Sequence, residues 1–170
     1  MMLDLGAGSR RDNGYTTVDI AGNPDVLHDL NRFPYPFKKE SVSFIRINHC
    51  LEHLKNPLRV VQECRRILKP NGFLEIRVPH YSHVYAFEHP GHINYFALNT
   101  CNYFGGFRVV DKRLHYVSDR HRTWPMLRQI PFDLLALLFP RFSERVLAGW
   151  IGGYQEIYWM LRKEVVSYSP

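Results

Sequence analysis

The sequence predicts a doubly wound α/β domain built on a largely parallel sheet. Three observations lead to this prediction. A glycine turn follows the first apolar strand, the next two strands each end in an acid, and a strand–helix–strand unit occupies the middle of the chain. The elements below are taken in chain order.

The first strand, residues 3–5, runs into a turn that contains Gly6 and Gly8. Glycine lets the backbone bend sharply and lets a ligand approach closely, because it has no Cβ. Asp4 lies just before the turn, where its carboxylate can accept hydrogen bonds from loop amides or from a cationic ligand. A dinucleotide fingerprint requires a third glycine where Arg11 stands, which disfavours a nicotinamide or flavin site.

The second strand, residues 15–20, places Asp19 at its carboxyl end, where α/β folds bind ribose hydroxyls. A strand-end cap is the alternative role for this acid. Asp19 follows Gly8 by only 11 residues, whereas about 20 with an intervening helix is usual. The first crossover helix is therefore expected to be missing or reduced to one turn. A third strand, residues 25–31, contains a second acid, Asp29.

The cleanest helix is predicted at residues 56–69, between a fourth strand at 41–48 and a fifth at 73–78. Asn56 is its expected N-cap, and Pro57 occupies the first helical position. On its outer face Arg59 and Glu63 are spaced for a weak pair. One apolar face is expected to comprise Leu58, Val61, Cys64 and Leu68.

The fifth strand alternates apolar residues with Glu75 and Arg77. A parallel strand buried on both faces should be apolar throughout, so one face of the sheet is expected to lack full cover. The sequence also begins on its first strand, with no helix before it. A later segment or another subunit is expected to cover that face in part.

The C-terminal half predicts a histidine-rich loop at 79–92, a helix at 94–104, a sixth strand at 107–117 and a seventh at 156–163. The whole chain, 1–170, is predicted to be one domain with an insertion at about 118–154. The apolar core of this insertion can pack on the sheet or on a twin subunit in a homodimer, and base rates favour packing. Arginines accompany the same run, so a peripheral helix at a membrane surface is the alternative. The apolar and basic residues concerned are Leu134, Leu135, Leu137, Leu138, Phe139, Arg120, Arg122, Arg128, Arg141 and Arg145.

The composition sets the broad class of the protein. With 22 Lys and Arg against 16 Asp and Glu, the net charge of +6 suits an anionic partner, but no aromatic-basic motif indicates nucleic acid. Three cysteines without a Cys-x-x-Cys pair argue against disulfides and zinc, and predict a reduced, cytoplasmic setting. No signal peptide and no membrane-spanning run are expected.

Taken together, these segments resemble the class I S-adenosylmethionine-dependent methyltransferases, in particular a small subgroup known only as predicted methyltransferases. The resemblance implies a Rossmann-like, seven-stranded mixed sheet with a shortened N-terminus and a reduced first helix. It also implies S-adenosylmethionine as the cofactor. The segments that carry it are residues 3–8, 18–20, 28–30, 49–54 and 66–74.

The resemblance also implies roles for individual residues. The turn backbone would approach the methionine part of the cofactor, and Asp4 would hold the turn or the ammonium group. Asp19 would bind the ribose, Ile20 and Leu30 would lie at the adenine, and Asp29 would accept from the adenine amine. Asn48 and His49 would lie near the sulfonium. The full set of cofactor contacts is Asp4, Gly6, Ala7, Gly8, Asp19, Ile20, Asp29, Leu30, Asn48 and His49.

Methyl transfer is an in-line displacement in which the enzyme mainly positions two reactants. A base is needed only if the acceptor loses a proton, and the candidates are His49, Glu52, His53 and His80. Glu52 and His53 are expected instead to pack and cap the next helix, which leaves His49 and His80, just beyond two strand ends, as the predicted catalytic residues. The loop histidines His80, His83, His89 and His92, with Glu88, lack the regular spacing of metal sites, so no metal is predicted.

Three functions fit the sequence. The first is methyl transfer to a small-molecule, glycan or lipid-precursor acceptor. The second is a catalytically inactive protein with the same fold that acts as a binding or regulatory subunit. The third, a nicotinamide oxidoreductase, is disfavoured by Arg11.

Overall fold

Seven strands form one mixed sheet in the order β3-β2-β1-β4-β5-β7-β6, in a computed structural model that describes residues 1–116 and 126–165. Strands β1 to β5 are parallel, and β7 inserts antiparallel between β5 and β6. This order confirms the Rossmann-like, doubly wound prediction. The strands are β1 (Met2–Leu5), β2 (Tyr15–Asp19), β3 (Val26–Leu27), β4 (Val42–Asn48), β5 (Leu68–Pro79), β6 (Phe107–His115) and β7 (Glu156–Lys163).

The described helices are mostly short. Two 3₁₀ segments, Leu51–His53 and Leu98–Tyr103, and a π turn, Ser143–Leu147, supplement them. The α-helices are α1 (Pro57–Ile67), α2 (Tyr85–Glu88), α3 (Met126–Leu138), α4 (Pro140–Phe142) and α5 (Ala148–Ile151).

The strand register brings the carboxyl ends of the parallel strands to one edge. Leu5 of β1 lies between Val18 of β2 and Ile47 of β4, and Asn48 lies beside Arg77 of β5. Ligands bind at this edge in open α/β sheets. The residues that follow these strand ends therefore meet where the sequence places the site.

Several predicted elements are confirmed, and others are shorter than predicted. Residues 6–14 contain no helix, as expected, and β7 has the predicted bounds. The third strand is reduced from 25–31 to Val26–Leu27, because Asp29 and the residues after it turn back in hydrogen-bonded bends. The helix predicted at 94–104 is only the 3₁₀ segment at Leu98–Tyr103.

Helix α1 begins as predicted and ends earlier. The Asn56 side chain accepts a hydrogen bond from the Arg59 amide at 3.0 Å, which confirms the N-cap. Its buried stripe is Val60, Val61, Cys64 and Ile67. Leu58, predicted to be buried, is 52% exposed, because this stripe is rotated away from it. Leu68 is buried, but it begins β5.

The predicted pair of Arg59 with Glu63 is weak: burial raises the pKa of Glu63, hydrogen bonds from Arg66 and the Tyr35 amide lower it, and the charge of Arg59 adds to the lowering. Glu63 instead pairs with Arg66, with 2.6 Å between Oε1 and Nη2, and accepts the Tyr35 amide at 2.7 Å. The guanidinium of Arg59 lies over the Phe33 ring at 4.4 Å. The Glu63–Tyr35 hydrogen bond and the Arg59–Phe33 contact tie α1 to the preceding loop. Spacing along the helix does not reveal such tertiary contacts.

Charged residues do line one face of the sheet, as predicted. Asp4, Arg46 and Glu75 are in register on three neighbouring strands. Nη2 of Arg46 lies 2.7 Å from the buried Asp4 carboxylate. These charges are paired along the face, so the sheet tolerates their partial burial.

The apolar core of the insertion does not pack on the sheet, the first of the two packings predicted for it, and packing on a twin subunit stays a prediction. Leu134, Leu137, Leu138 and Phe139 are each more than half exposed, and Leu135 is half-buried. Helix α3 contacts the sheet through Ala136 and through Phe132, whose ring lies 4.7 Å from that of Tyr116, and this leaves the leucines outward. Arg120 and Arg122 lie outside the described residues. In the part of the chain that the structure describes, no helix is both long and apolar enough to cross a bilayer.

The burial pattern makes a direct prediction about stability. Leu74→Ala shortens a side chain that is fully buried on β5 and leaves a cavity there. This change should lower the free energy of unfolding by about 2–5 kcal/mol. Leu58→Ala, in the exposed position on α1, should change the free energy of unfolding by no more than about 0.5 kcal/mol. Urea unfolding of both variants measures the difference, and equal losses would contradict the placement of α1.

Candidate active site

The glycine turn after β1 closes onto β2 and β4. The Gly6 amide donates to the Val18 carbonyl at 2.8 Å, and Gly6 and Gly8 have φ angles of 70° and 58°. A Cβ at Gly6 would overlap the side chain of Cys50, whereas a Cβ at Gly8 would meet no atom within 4 Å. Gly6 is therefore required by internal packing, and Gly8 faces open space that a ligand can enter.

Asp19 at the end of β2 is bonded to this turn. Its Oδ2 accepts the Gly8 amide at 2.7 Å, and its Oδ1 accepts the Ile20 amide at 2.7 Å. Ile20 itself is 65% exposed beside the carboxylate. The acid and the turn thus form one unit, although Asp19 lies 11 residues after Gly8.

The second acid, Asp29, also lies at this edge. The amides of Asn31, backbone and side chain, donate to its Oδ1 at 2.9 and 3.2 Å. The backbone hydrogen bond from Asn31 is the main reason that the pKa of Asp29 is lowered, so the group is an acceptor at neutral pH. Leu30 beside it is buried.

Asp4 is buried rather than open to solvent. Arg46 contacts Asp4 and also Asp12 of the turn segment, with 2.6 Å between Nη2 and the Asp12 carboxylate. Arg10 lies 3.8 Å from the same Asp4 oxygen. This chain of ion pairs anchors residues 6–14 to the sheet and fits the turn-holding role predicted for Asp4.

At the end of β4 the backbone of His49 has a left-handed φ of 51°, which is uncommon outside glycine. Its Nε2 lies 2.9 Å from Glu156 Oε2, and its Nδ1 lies 3.5 Å from Glu52 Oε1. Burial lowers the pKa of His49, but the hydrogen bonds with the two carboxylates outweigh it and raise the pKa to about 9. At neutral pH the ring is a cation that donates hydrogen bonds.

Asn48 precedes His49, and its side-chain oxygen is buried without a hydrogen-bond partner. Buried polar atoms in native proteins are usually paired. This oxygen is therefore a candidate acceptor for a bound ligand at the strand edge.

His80, which follows β5, has no exposed surface. Its Nδ1 lies 2.7 Å from Ser82 Oγ and its Nε2 lies 3.2 Å from Glu144 Oε1 of the π turn. Glu144 also accepts the Leu98 amide, and these bonds outweigh its burial and lower its pKa. With both nitrogens occupied, His80 has no open side toward a substrate in this conformation, and its catalytic role stays a prediction.

A cavity of about 480 Å³ opens beside His49. Pro79 contributes from the end of β5, and Gln155 contributes from the residue just before β7. Its remaining lining residues are Glu52, His53, Tyr85, Glu88, His89, Pro90 and His92.

Sequence reasoning missed the acids that act on His49. Glu156 lies 107 residues after His49 and reaches it only because β7 pairs antiparallel with β5, which places Glu156 beside Pro79. Glu52 was expected to cap a helix, yet its carboxylate is buried beside the cavity. The contact between His49 and Glu156 could have been predicted only from the strand order of the sheet, which the sequence does not show directly.

The first half of the chain is similar to known methyltransferases. Residues 3–76 match a family described as the methyltransferase domain. The chain is 31% identical over 71 residues to a demethylmenaquinone methyltransferase from Bacillus velezensis, a match that covers 42% of this chain and 28% of that protein. The chain thus spans less than a third of that curated relative.

Two solved structures show the likeness of the fold. An S-adenosylmethionine-dependent methyltransferase from Archaeoglobus fulgidus has a TM-score of 0.63 at 17% identity, over 95% of this chain and 85% of its own. A phosphoethanolamine N-methyltransferase from Haemonchus contortus, solved with S-adenosylhomocysteine, has a TM-score of 0.60 at 16% identity, over 96% of this chain and 48% of its own.

The resemblance found in the motifs is therefore confirmed, and the other two functions considered for the sequence are not supported by these matches. Residues 3–76 match the methyltransferase domain, and the chain has the seven-stranded fold of the class I S-adenosylmethionine-dependent methyltransferases.

Proposed function

We propose that the protein transfers a methyl group from S-adenosylmethionine to an amphiphilic acceptor, a lipid precursor, that it takes up at a membrane surface. The observation that carries the methyl-transfer part is the unit of Gly8 and Asp19. A backbone turn with open space above it is bonded to an acid at the next strand end, and a cavity lies beside the neighbouring strand.

The cofactor would supply its methyl group as a sulfonium. Asp19 would accept the ribose hydroxyl protons, Ile20 and Leu30 would flank the adenine, and Asp29 would accept from its amine. Ala7 and Gly8 would present the turn backbone to the methionine end, close to Asn48 and His49. The register of β1, β2 and β4 brings the glycine turn, Asp19 and Asn48 to one edge of the sheet, which supports this assignment.

His49 would contact the acceptor in the cavity. As a cation held between Glu156 and Glu52, it would place positive charge beside an acceptor oxygen rather than remove a proton from it. The chemistry then depends mainly on placing acceptor and sulfonium in line, which can supply several kcal/mol of the rate enhancement.

The acceptor class follows from the exposed surface of α3 to α5. Two stripes at helical spacing point outward: Ile130, Leu134, Leu137 and Leu138 on α3, and Phe142, Val146 and Trp150 across α4 to α5, with Trp150 86% exposed. We call these seven residues the apolar surface. Exposed apolar patches of this kind mark interaction sites.

Charge favours a lipid bilayer as the occupant of the apolar surface. Arg141 and Arg145 are exposed beside it, whereas Asp133 and Glu144, the acids of residues 130–151, are half-buried and buried. Aromatic and aliphatic side chains flanked by arginines suit the headgroup region of an anionic membrane. The matched relative that methylates demethylmenaquinone, by its name, is in keeping with a lipid acceptor.

Asp19 provides the first test of the cofactor site. Asp19→Asn keeps the size of the side chain but removes the charge that would accept two ribose hydroxyls, so S-adenosylhomocysteine should bind at least tenfold more weakly, about 1.4 kcal/mol. Titration calorimetry measures the affinity, with Asp111→Asn on β6 as the control. Unchanged affinity in a folded Asp19→Asn protein would remove the assigned role.

Alanine substitutions at the two glycines of the turn should have different effects, one on stability and the other on cofactor binding. Gly6→Ala should lower the melting temperature strongly, because Cys50 occupies the space of the new methyl group. Gly8→Ala should cost only the left-handed strain, about 1–2 kcal/mol, but should weaken S-adenosylhomocysteine binding at least tenfold. Gly152→Ala carries similar strain at a φ of 80° with no atom nearby, and it should bind normally. Normal binding by Gly8→Ala would contradict the turn as a cofactor site.

The apolar surface should bind anionic vesicles. Trp150→Ala combined with Phe142→Ala should weaken co-sedimentation with phosphatidylglycerol vesicles at least tenfold, since each ring loses about 1.5–3 kcal/mol of burial. Tyr103→Ala, which removes a ring that is 79% exposed elsewhere, is the control and should bind as the wild type does. A wild-type protein that stays in the supernatant would refute the membrane assignment, and a dimer lost on Trp150→Ala would give the surface to a second copy.

Transfer itself is tested with radiolabelled S-adenosylmethionine and separated lipid and water-soluble extracts. Label in the lipid fraction supports the proposal. Label only in the water-soluble fraction contradicts the acceptor class, and tight cofactor binding with no label in either would favour the inactive-subunit alternative.

A further inference from the structure

We propose that His53, His89 and His92 bind one divalent transition-metal ion at the cavity beside His49. One ring nitrogen from each lies within 4.8 Å of the other two. The His53 ring centroid is 5.1 Å from that of His89 and 4.7 Å from that of His92. Of the loop histidines considered as metal ligands from the sequence, His80 and His83 stand apart from this group, and His53, which was not considered as a ligand, belongs to it.

The backbone brings the two contributing segments together. His53 ends the 3₁₀ segment Leu51–His53, and His92 lies in the loop after α2. The Ile93 amide donates to the Glu52 carbonyl at 3.0 Å, and the Asn94 side chain donates to the Leu54 carbonyl at 2.7 Å. The histidines on either side of these bonds are therefore held in place without an ion.

Two of the rings are already oriented as metal ligands. His53 Nδ1 lies 2.9 Å from the Gly91 carbonyl, and His92 Nδ1 lies 3.1 Å from the Ala86 carbonyl. A carbonyl only accepts, so each Nδ1 carries the proton and each Nε2 keeps a lone pair. Metal-binding histidines commonly have this arrangement, with one nitrogen fixed by a carbonyl and the other on the ion.

His89 would be the adaptable third ligand. Its Nδ1 accepts the Gly91 amide at 3.0 Å, so it must give up this bond to release a lone pair for the ion. The residue is exposed, and its ring can turn at little cost. The Gly91 backbone thus forms hydrogen bonds with both His53 and His89, so one short loop orients two of the three rings.

Glu52 is the second, independent observation. Its side chain is 1% exposed and lines the cavity, and neither carboxylate oxygen has a hydrogen bond of good geometry. Oε1 lies 3.5 Å from His49 Nδ1 and 3.9 Å from His92 Nε2. Burying a carboxylate without hydrogen bonds is costly, and His49 offsets only part of that cost. A metal ion among the three histidines would add positive charge on the His92 side of the same carboxylate.

The ligand set indicates the class of metal. Imidazole nitrogens with a nearby carboxylate suit zinc and its neighbours rather than magnesium or calcium. Three protein ligands leave a coordination position open toward the cavity. An acceptor oxygen could occupy it, a use that rests on the proposed function, whereas binding of the ion does not.

The test uses Co²⁺ and Zn²⁺ on the full chain. Wild-type protein should bind one ion, with the intense visible absorption of low-coordinate Co²⁺, and Zn²⁺ should displace it. His53→Ala, His92→Ala and the exposed His89→Ala should each weaken binding at least tenfold. His83→Ala, in the same loop but outside the cluster, is the matched control and should leave the affinity unchanged.

Two results would overturn the site. One is a folded wild-type protein that binds neither ion, and the other is a loss with His83→Ala equal to that with His89→Ala. S-adenosylhomocysteine titrations on the same samples separate this proposal from the proposed function. A protein that binds S-adenosylhomocysteine but no metal would contradict only the metal site. A protein that binds metal but no S-adenosylhomocysteine would contradict only the proposed methyltransferase function.

Discussion

The contact between the Gly6 backbone and the Cys50 side chain controls the geometry of the whole site. It brings the turn after β1 against the segment after β4, and the Gly8 amide joins the same turn to Asp19 at the end of β2. No side chain larger than hydrogen fits at Gly6, and the left-handed φ there disfavours one further. Because the parallel register fixes both strand ends, the turn cannot move away without breaking the pairing of β1 with β4.

Local patterns in the sequence were sufficient for much of the sheet and for one half of the site. Alternation on β5, the acids near the ends of β2 and β3, and the Asn56 cap all depend on neighbours in the chain, and the structure agrees with them. The other half depends on contacts across more than 35 residues, such as His53 with Gly91 and His49 with Glu156. Spacing along one segment carries no signal for these, which is why the histidine cluster was not predicted to be a metal site.

In the insertion an acidic side chain is buried and apolar side chains are exposed, the opposite of the usual pattern. Its π turn buries the acid Glu144 against His80 and the Leu98 amide, while the leucines and aromatics on either side face outward. A segment that only filled a gap in the core would do the opposite. The buried acid works as an anchor, because losing its two partners inside the protein would leave a charge without hydrogen bonds. This anchor holds the segment while its apolar residues stay exposed, so they can contact a membrane or another molecule.

The anchor also joins the insertion to the cavity. His80 follows directly on Pro79, which lines the cavity, and its amide donates to the carbonyl of Gln155, another lining residue. Ser82 accepts the Tyr154 amide at the base of α5. A shift of the apolar surface on meeting a membrane would therefore pull on both strands that border the cavity. In this arrangement His80 would act through the residues that it positions, and uptake of the proposed acceptor and shaping of the site would be parts of one motion.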